Sequence, residues 1–197
     1  MIAPKNAPSF LFASVLLASF AACNATPGKP EAAPFVGDVQ RLADLQPGDI
    51  AVAPVRNQTG IEEVPVAALR EGFSEALVKR LYSPLSSAYV DSNWVESSFR
   101  GTPGPDALLV VAMTEWDTSR LFSTGKVTGA AEVVLFEGGS TTGTPLWSVH
   151  RSATVELGDA SGNPPRPSES LLPRAAELFA TQILSDLPTR DPVRAHP

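Results

Sequence analysis

Residues 107–113 read Ala-Leu-Leu-Val-Val-Ala-Met, and this run decides the fold. It follows Gly101-Thr102-Pro103-Gly104-Pro105, which cannot continue a helix. An unbroken apolar run rich in Val and Leu suits a strand buried on both faces. Downstream, Lys126-Val-Thr-Gly-Ala-Ala-Glu-Val-Val-Leu-Phe-Glu137 is long and β-rich. Gly138-Gly139-Ser140-Thr141-Thr142-Gly143 then forms a hairpin loop, and Pro145–Leu157 returns as a strand. Along that strand Trp147, Val149, Ala153, Val155 and Leu157 share one face. Ser148, His150, Ser152, Thr154 and Glu156 share the other, which should be wet.

Upstream, Ile50-Ala51-Val52-Ala53 is a strand ended by Pro54, followed by a polar loop at Asn57, Thr59 and Gly60. Pro65 can open a helix, and Val66, Leu69, Phe73, Leu77 and Leu81 follow at helical spacing. Arg70, Glu71, Ser74, Glu75 and Lys79 fill its other face, with Glu75 and Lys79 able to pair. Ala88-Tyr89-Val90 predicts a short strand, and Ser92–Phe99 a short helix with Trp94, Val95 and Phe99 inward. After a Gly/Pro/Ser loop at 158–168, Ser168 or Ser170 can cap a last helix. Its apolar stripe is Leu172, Ala175, Phe179, Ile183 and Leu187. The order βαβ(α)β, then antiparallel strands, then a helix predicts an α/β (α+β) domain with one mixed sheet and helices packed on its faces.

The N-terminus carries a different signal. Residues 9–22, SFLFASVLLASFAA, hold no charge, and only Lys5 precedes them. The run is shorter than the ~20 apolar residues of a membrane span and suits an export signal. It ends in Phe20-Ala21-Ala22-Cys23, which resembles the lipobox of bacterial lipoproteins. That resemblance implies cleavage before Cys23 and diacylation of its sulfur, as by palmitate. An acylated N-terminus would add a third chain, and two or more chains give stable attachment. The alternative is an ordinary cleaved signal. Asn24 favours the outer membrane in enteric bacteria, facing the periplasm. Residues 24–48 hold Pro27, Pro30, Pro34 and Pro47 and read as a tether, with Val39–Leu45 as one helical turn or docking element. The expected organisation is a signal at 1–22, anchor and tether at 23–48, a globular domain at 49–187 and a disordered tail at 188–197.

A net charge of -6 and the lack of a basic stripe argue against nucleic-acid binding. With one cysteine, no intrachain disulfide is possible.

The stretch 49–157 resembles known envelope proteins. Ile50-Ala51-Val52-Ala53-Pro54 with Asn57-Gln58-Thr59-Gly60 is similar to the opening of a periplasmic α/β domain. That domain is shared by the curli-secretion lipoprotein and the lipoprotein activator of penicillin-binding proteins. A closer resemblance is to a family of outer-membrane lipoproteins that includes a meningococcal surface antigen. It rests on Asp106-Ala107-Leu108-Leu109, Glu115-Trp116-Asp117-Thr118-Ser119, a long strand, a Thr/Gly turn and Leu146-Trp147. The resemblance implies an envelope α/β domain with a partner-binding role. It carries over no catalytic residue, cofactor or metal.

The chemistry-bearing residues are few. His196 lies in the tail and His150 on the wet strand face, where a surface role is expected. Glu115 and Asp117 are strand-end carboxylates, and no G-x-S-x-G elbow is present. Trp116, Asp117, Arg120, Leu121 and Phe122 mix aromatic, apolar and charged groups and form the candidate interaction surface. For Trp116 the competing reading is a plug at the end of the core. The expected function is a non-catalytic, lipid-anchored partner-binding or assembly factor, docking on an envelope protein or self-associating. A small-ligand or glycan-binding lipoprotein is the alternative, and a hydrolase a third.

Overall fold

The computed structural model describes residues 37–158, 165 and 170–191. The signal, Cys23, most of the tether and the end of the tail lie outside the described residues. In chain order the elements are α1 (Val39–Leu45), β1 (Asp49–Val52), β2 (Arg56–Asn57), α2 (Val66–Val78), β3 (Ser83–Pro84), α3 (Ser87–Asn93), β4 (Trp94–Val95) and β5 (Ser98–Phe99). There follow β6 (Ala107–Asp117), α4 (Leu121–Thr124), β7 (Lys126–Glu137), β8 (Pro145–Glu156) and α5 (Leu171–Ile183), with a 3-10 turn at Leu184–Asp186.

The fold is α/β, with one six-stranded mixed sheet in the order β3-β1-β6-β7-β8 and with β2 also pairing β6. β1 runs parallel to β3 and β6, with Ile50 opposite Ala107 and Val52 opposite Leu109. β6, β7 and β8 form a long antiparallel meander. The apolar run 107–113 therefore occupies the middle of the sheet. It is buried on both faces because side chains alternate while both faces are covered there.

Even-numbered Val52 and odd-numbered Leu109, Val111, Met113, Val133, Leu135, Trp147 and Val149 point to one face, where α2 and α5 pack. Phe73, Leu69 and Leu77 of α2 and Phe179, Ala175 and Ile183 of α5 close this main core. The two helices approach closely at Gly72, where a Cβ would stand 2.8 Å from the Ala176 carbonyl oxygen. The opposite face holds a smaller core of Ala51, Ala53, Leu108, Val90 and Phe99 beneath α3 and the β4–β5 hairpin. Tyr89 meets Phe99 edge-on there, with ring centroids 5.4 Å apart.

The structure departs from the sequence expectations in several places. Ala88-Tyr89-Val90 is helical, because Ser86 caps α3 by accepting from the Tyr89 N–H at 3.3 Å. The expected helix at 92–99 is instead the end of α3 plus a hairpin that turns through Glu96, at φ 55. Leu81 leaves the helical stripe: α2 stops at Val78, Leu81 adopts φ 66, and Tyr82 enters the core in its place. Lys79 pairs with Glu177 of α5 at 2.6 Å rather than with Glu75. Ser170 stands at the N-cap of α5 without a side-chain cap bond.

Packed residues also extend past both ends of the 49–187 span. Asp38 caps α1 by accepting from the Arg41 N–H at 2.9 Å, and Leu42 is buried in the main core. At the other end the Tyr82 hydroxyl donates to the Pro188 carbonyl at 2.9 Å, and the Arg190 N–H donates to the Arg80 carbonyl at 3.0 Å. The tail expected from residue 188 is thus docked through Arg190.

Candidate functional site

The expected interaction surface begins where β6 ends. A register shift lies between Met113 and Glu115 in the pairing with β7. Met113 faces the main core, and simple alternation would send Trp116 to the other side. The bulge inserts one residue and reverses the parity. Trp116 therefore points into the main core, where it is 3% exposed and meets Phe179 edge-on at 5.5 Å and 88°. Its indole N–H has no hydrogen-bond acceptor among the described residues.

The same bulge sends Glu115 and Asp117 to the exposed side. The Asp117 carboxylate accepts from the Ser119 N–H at 2.8 Å, closing a turn. That bond, seconded by the Ser119 side chain and the nearby Arg120 charge, holds Asp117 below the ordinary carboxylate range. Arg120 precedes α4, a single helical turn ended by Gly125 at φ 70. Leu121 is 2% exposed and belongs to the main core, whereas Phe122 is 60% exposed.

The five residues thus divide. Trp116 and Leu121 are inward anchors and leave the expected surface, because the bulge and the one-turn helix aim both at the core. Asp117, Arg120 and Phe122 remain exposed, with the Arg120 charge close enough to act on the Asp117 carboxylate. The sequence shows the mixture of residue types but carries no signal for the bulge that sorts them.

His150 is exposed and lies opposite Glu132 across the β7–β8 ladder. Asp117 pairs with Thr128, which pairs in turn with Thr154, four residues farther along β8 from His150. Glu115 pairs with Ala130, opposite Ser152. The carboxylates of β6 and the imidazole therefore occupy different rows of the sheet. Among the described residues no group of three or more His, Cys, Asp or Glu side chains converges.

A second feature escapes the sequence reading altogether. An open groove of about 630 Å³ runs between α2 and α5, floored by Ala67, Ala68, Gly72 and Pro173 and walled by Glu71, Glu75 and Arg174. Small residues at the helix crossing make the groove. At its end sits Arg70, which the helical pattern assigns to the polar face but which is only 8% exposed. Its Nε and Nη2 donate to the Val52 carbonyl at 3.0 and 2.8 Å, and its Nη1 donates to Asp91 at 2.6 Å. Arg70 ties α2 to β1 and α3, so its burial is structural. Beside the groove, hydrogen bonding and charge from Lys79 lower the pKa of Glu177. On the far side of α5, Arg151 donates to the Gln182 carbonyl, Ser185 and Asp186, and its hydrogen bond lowers the pKa of Asp186.

No protein-family model matches the chain, and no curated protein matches it in sequence. Solved structures do match in fold. A PelC dodecamer from Paraburkholderia phytofirmans is 15% identical, with 80% of this chain and 98% of that chain covered and a TM-score of 0.51. Lipoprotein GNA1162 from Neisseria meningitidis is 20% identical over 72% of this chain and 99% of that chain, with a TM-score of 0.41. A minor lipoprotein from Acinetobacter baumannii is 10% identical over 71% of this chain and 91% of that chain, with a TM-score of 0.31. At such identities the likeness to PelC is one of fold.

Proposed function

We propose that the chain is a lipid-anchored lipoprotein of the bacterial envelope whose domain acts by binding protein partners, as an assembly or adaptor factor, and not by catalysis. The observation that carries this reading is Phe20-Ala21-Ala22-Cys23 placed directly after the uncharged run 9–22. Acylated Cys23 would hold the protein at the membrane, and Asn24 favours the outer membrane. The exposed Phe122, close in sequence to the exposed Arg120 and Asp117, supplies an aromatic side chain among charged ones, and Phe and Arg are enriched at interfaces. Self-association is one form such binding can take, and the PelC structure of similar fold is a dodecamer. The small-ligand alternative calls for a pocket with aromatic and polar walls. The groove between α2 and α5 is lined by small and charged residues and by no aromatic ring, and a second hollow of about 170 Å³ beside Phe136, Arg56 and Glu132 is smaller than the usual ligand pocket of roughly 300 Å³ or more.

The test is intact mass and membrane partitioning of the full chain beside Cys23→Ser in a bacterial host. The expected result is a mass increase matching acylation, with membrane attachment, both lost in the variant. An unmodified chain recovered free in the periplasm overturns the anchor. For partner binding, Phe122→Ser should abolish co-purification of whatever the anchored protein brings with it from membranes while leaving its fold intact.

A further inference from the structure

The two edges of the sheet are unlike. At one, β3 is two residues long and contains Pro84, which has no N–H to offer. At the other lies β8, twelve residues long and last in the strand order. Its hydrogen-bonding direction can be read from the ladder. The Leu157 N–H donates to the Gly125 carbonyl at 2.7 Å, and Val127 opposes Val155 in the same register. In an antiparallel pair hydrogen-bonded and non-hydrogen-bonded pairs alternate. Odd-numbered residues of β8 therefore bond to β7, and the even-numbered ones turn N–H and C=O outward. The Thr128 and Thr154 hydroxyls, 3.0 Å apart, fit the closer spacing of a non-hydrogen-bonded pair.

His150, Ser152, Thr154 and Glu156 are thus exposed and present their main-chain groups to an edge that no described strand covers. Natural edges are blunted by Pro, by charged side chains, inward-pointing ones included, or by bulges. Between His150 and Glu156 there is no Pro, no Lys, no Gly and no bulge. The one charged side chain pointing to the core side, Arg151, is held back by Ser185 and Asp186.

We infer that the β8 edge is a homotypic pairing seam, at which residues 150–156 of two copies pair antiparallel about a two-fold axis at Ala153. That register alternates Ser152 with Thr154 of the partner and sets His150 opposite Glu156 of the partner, each contact made twice. The imidazole then faces a carboxylate that Lys126 of its own copy holds at 2.7 Å, and no like charges meet. On the core side Ala153 meets its own symmetry mate, where a small side chain lets the strands close, and Arg151 lies beside Val155. Isologous self-complementarity of this kind is the rule for two-fold interfaces. The two sheets become one continuous sheet. The seam lies on the opposite edge of the sheet from α2 and β3, and it does not depend on the lipid anchor.

The experiment uses the full chain carrying Cys23→Ser, in membrane-free solution, followed by sedimentation velocity across concentration and by amide hydrogen exchange. A reversible dimer is expected, with the Ser152 and Thr154 amides protected at high concentration and exchanging on dilution. Ser152→Pro removes an outward N–H and the exposed hydroxyl but no N–H of the β7–β8 ladder, so it should weaken the dimer by at least about tenfold while the ladder amides of β7 and β8 keep their protection. His150→Lys should tighten the dimer and His150→Glu should weaken it. A chain that stays monomeric to about 100 μM overturns the seam. So does a dimer indifferent to all three variants, or amides protected at every dilution, which would mean that the chain covers its own edge. Loss of acylation leaves all these outcomes readable, so failure of the anchor and failure of the seam are distinguishable.

Discussion

The two faces of the sheet are made from the same strands, yet one is sealed along its whole length and the other only at one end. On the sealed face α2 lies over β1 and β3 and α5 over β7 and β8, and Trp147, Leu135, Met113, Phe73 and Phe179 are fully buried. On the other, α3 and the β4–β5 hairpin cover Leu108, Val90 and Phe99, after which the strands present Glu132, His150, Ser152, Thr128 and Thr154 to solvent. Stability should therefore be concentrated on the first face. The face difference also explains why β8 alternates so cleanly while the first part of β6 is apolar at every position: β6 passes under both covers, β8 under one.

The largest expected effect comes from breaching the sealed face. Phe179 is fully buried, stacks edge-on against Trp116 and belongs to the helix that covers both β7 and β8. Phe179→Ala should cost about 3–5 kcal/mol in urea-induced unfolding, the range for an aromatic ring removed from a packed core. A loss below about 1 kcal/mol would mean that this face relaxes easily and is not the seat of stability. Next is Gly72→Ala. Alanine favours helix by up to about 1 kcal/mol over glycine. Here its Cβ would lie 2.8 Å from the Ala176 carbonyl oxygen, a backbone atom that moves only if the helix moves. Overpacking of this kind costs about 1–3 kcal/mol, so the net change should be a loss. A gain would place the helices farther apart in solution.

Much of this organisation is legible in the sequence, for physical reasons that differ by element. The alternation in β8 reports a strand with one dry and one wet side, and the stripes of α2 and α5 report helices with one buried face. Short segments fail. Ala88-Tyr89-Val90 has β character, but the Ser86 cap and packing against β1 make it helical. Arg70 reads as a solvated charge because no one-dimensional pattern shows that Val52 and Asp91 wait for its guanidinium. In the candidate surface, residue types identify the neighbourhood, but sorting Trp116 and Leu121 inward from Asp117, Arg120 and Phe122 depends on one bulged residue. That bulge leaves no mark in the pattern of apolar residues.

Tyr82 sharpens the contrast through pH. It lies at the margin of the sealed face, where burial pushes its hydroxyl up to about 12, against the smaller opposing influence of Arg80 and Arg190. In the unfolded chain a tyrosine ionises near 10. The unfolded state therefore releases this proton first. The contribution is fully present below about pH 10 and is lost as pH rises toward about 12. Tyr82→Phe should flatten the fall in stability over that window. It should also cost about 1 kcal/mol at neutral pH through the lost bond to the Pro188 carbonyl. An unchanged alkaline profile would show that Tyr82 is already solvated. On the acid side, Asp186 is held low by its hydrogen bond from Arg151, so its stabilisation is present above the ordinary carboxylate pKa and lost as pH falls through the lowered one. Arg151→Met should remove that part of the acid-limb slope.

The smallest effect belongs to the wet face. The Thr128 and Thr154 hydroxyls bond across β7 and β8 at 3.0 Å, with Thr154 exposed and Thr128 half-buried. A cross-strand pair of this kind contributes roughly 0.2–1 kcal/mol, and water replaces the bond when either hydroxyl is removed. Thr128→Ala should therefore shift unfolding by no more than that, several-fold less than Phe179→Ala on the other side of the same sheet. The ratio between the two variants matters more than either value, since both act on one ladder and share one unfolded state. If Thr128→Ala in the dilute chain cost as much as a core truncation, that face would have to be covered in solution. If its cost instead grew with protein concentration, the covering element would be a second copy meeting the sheet beside β8.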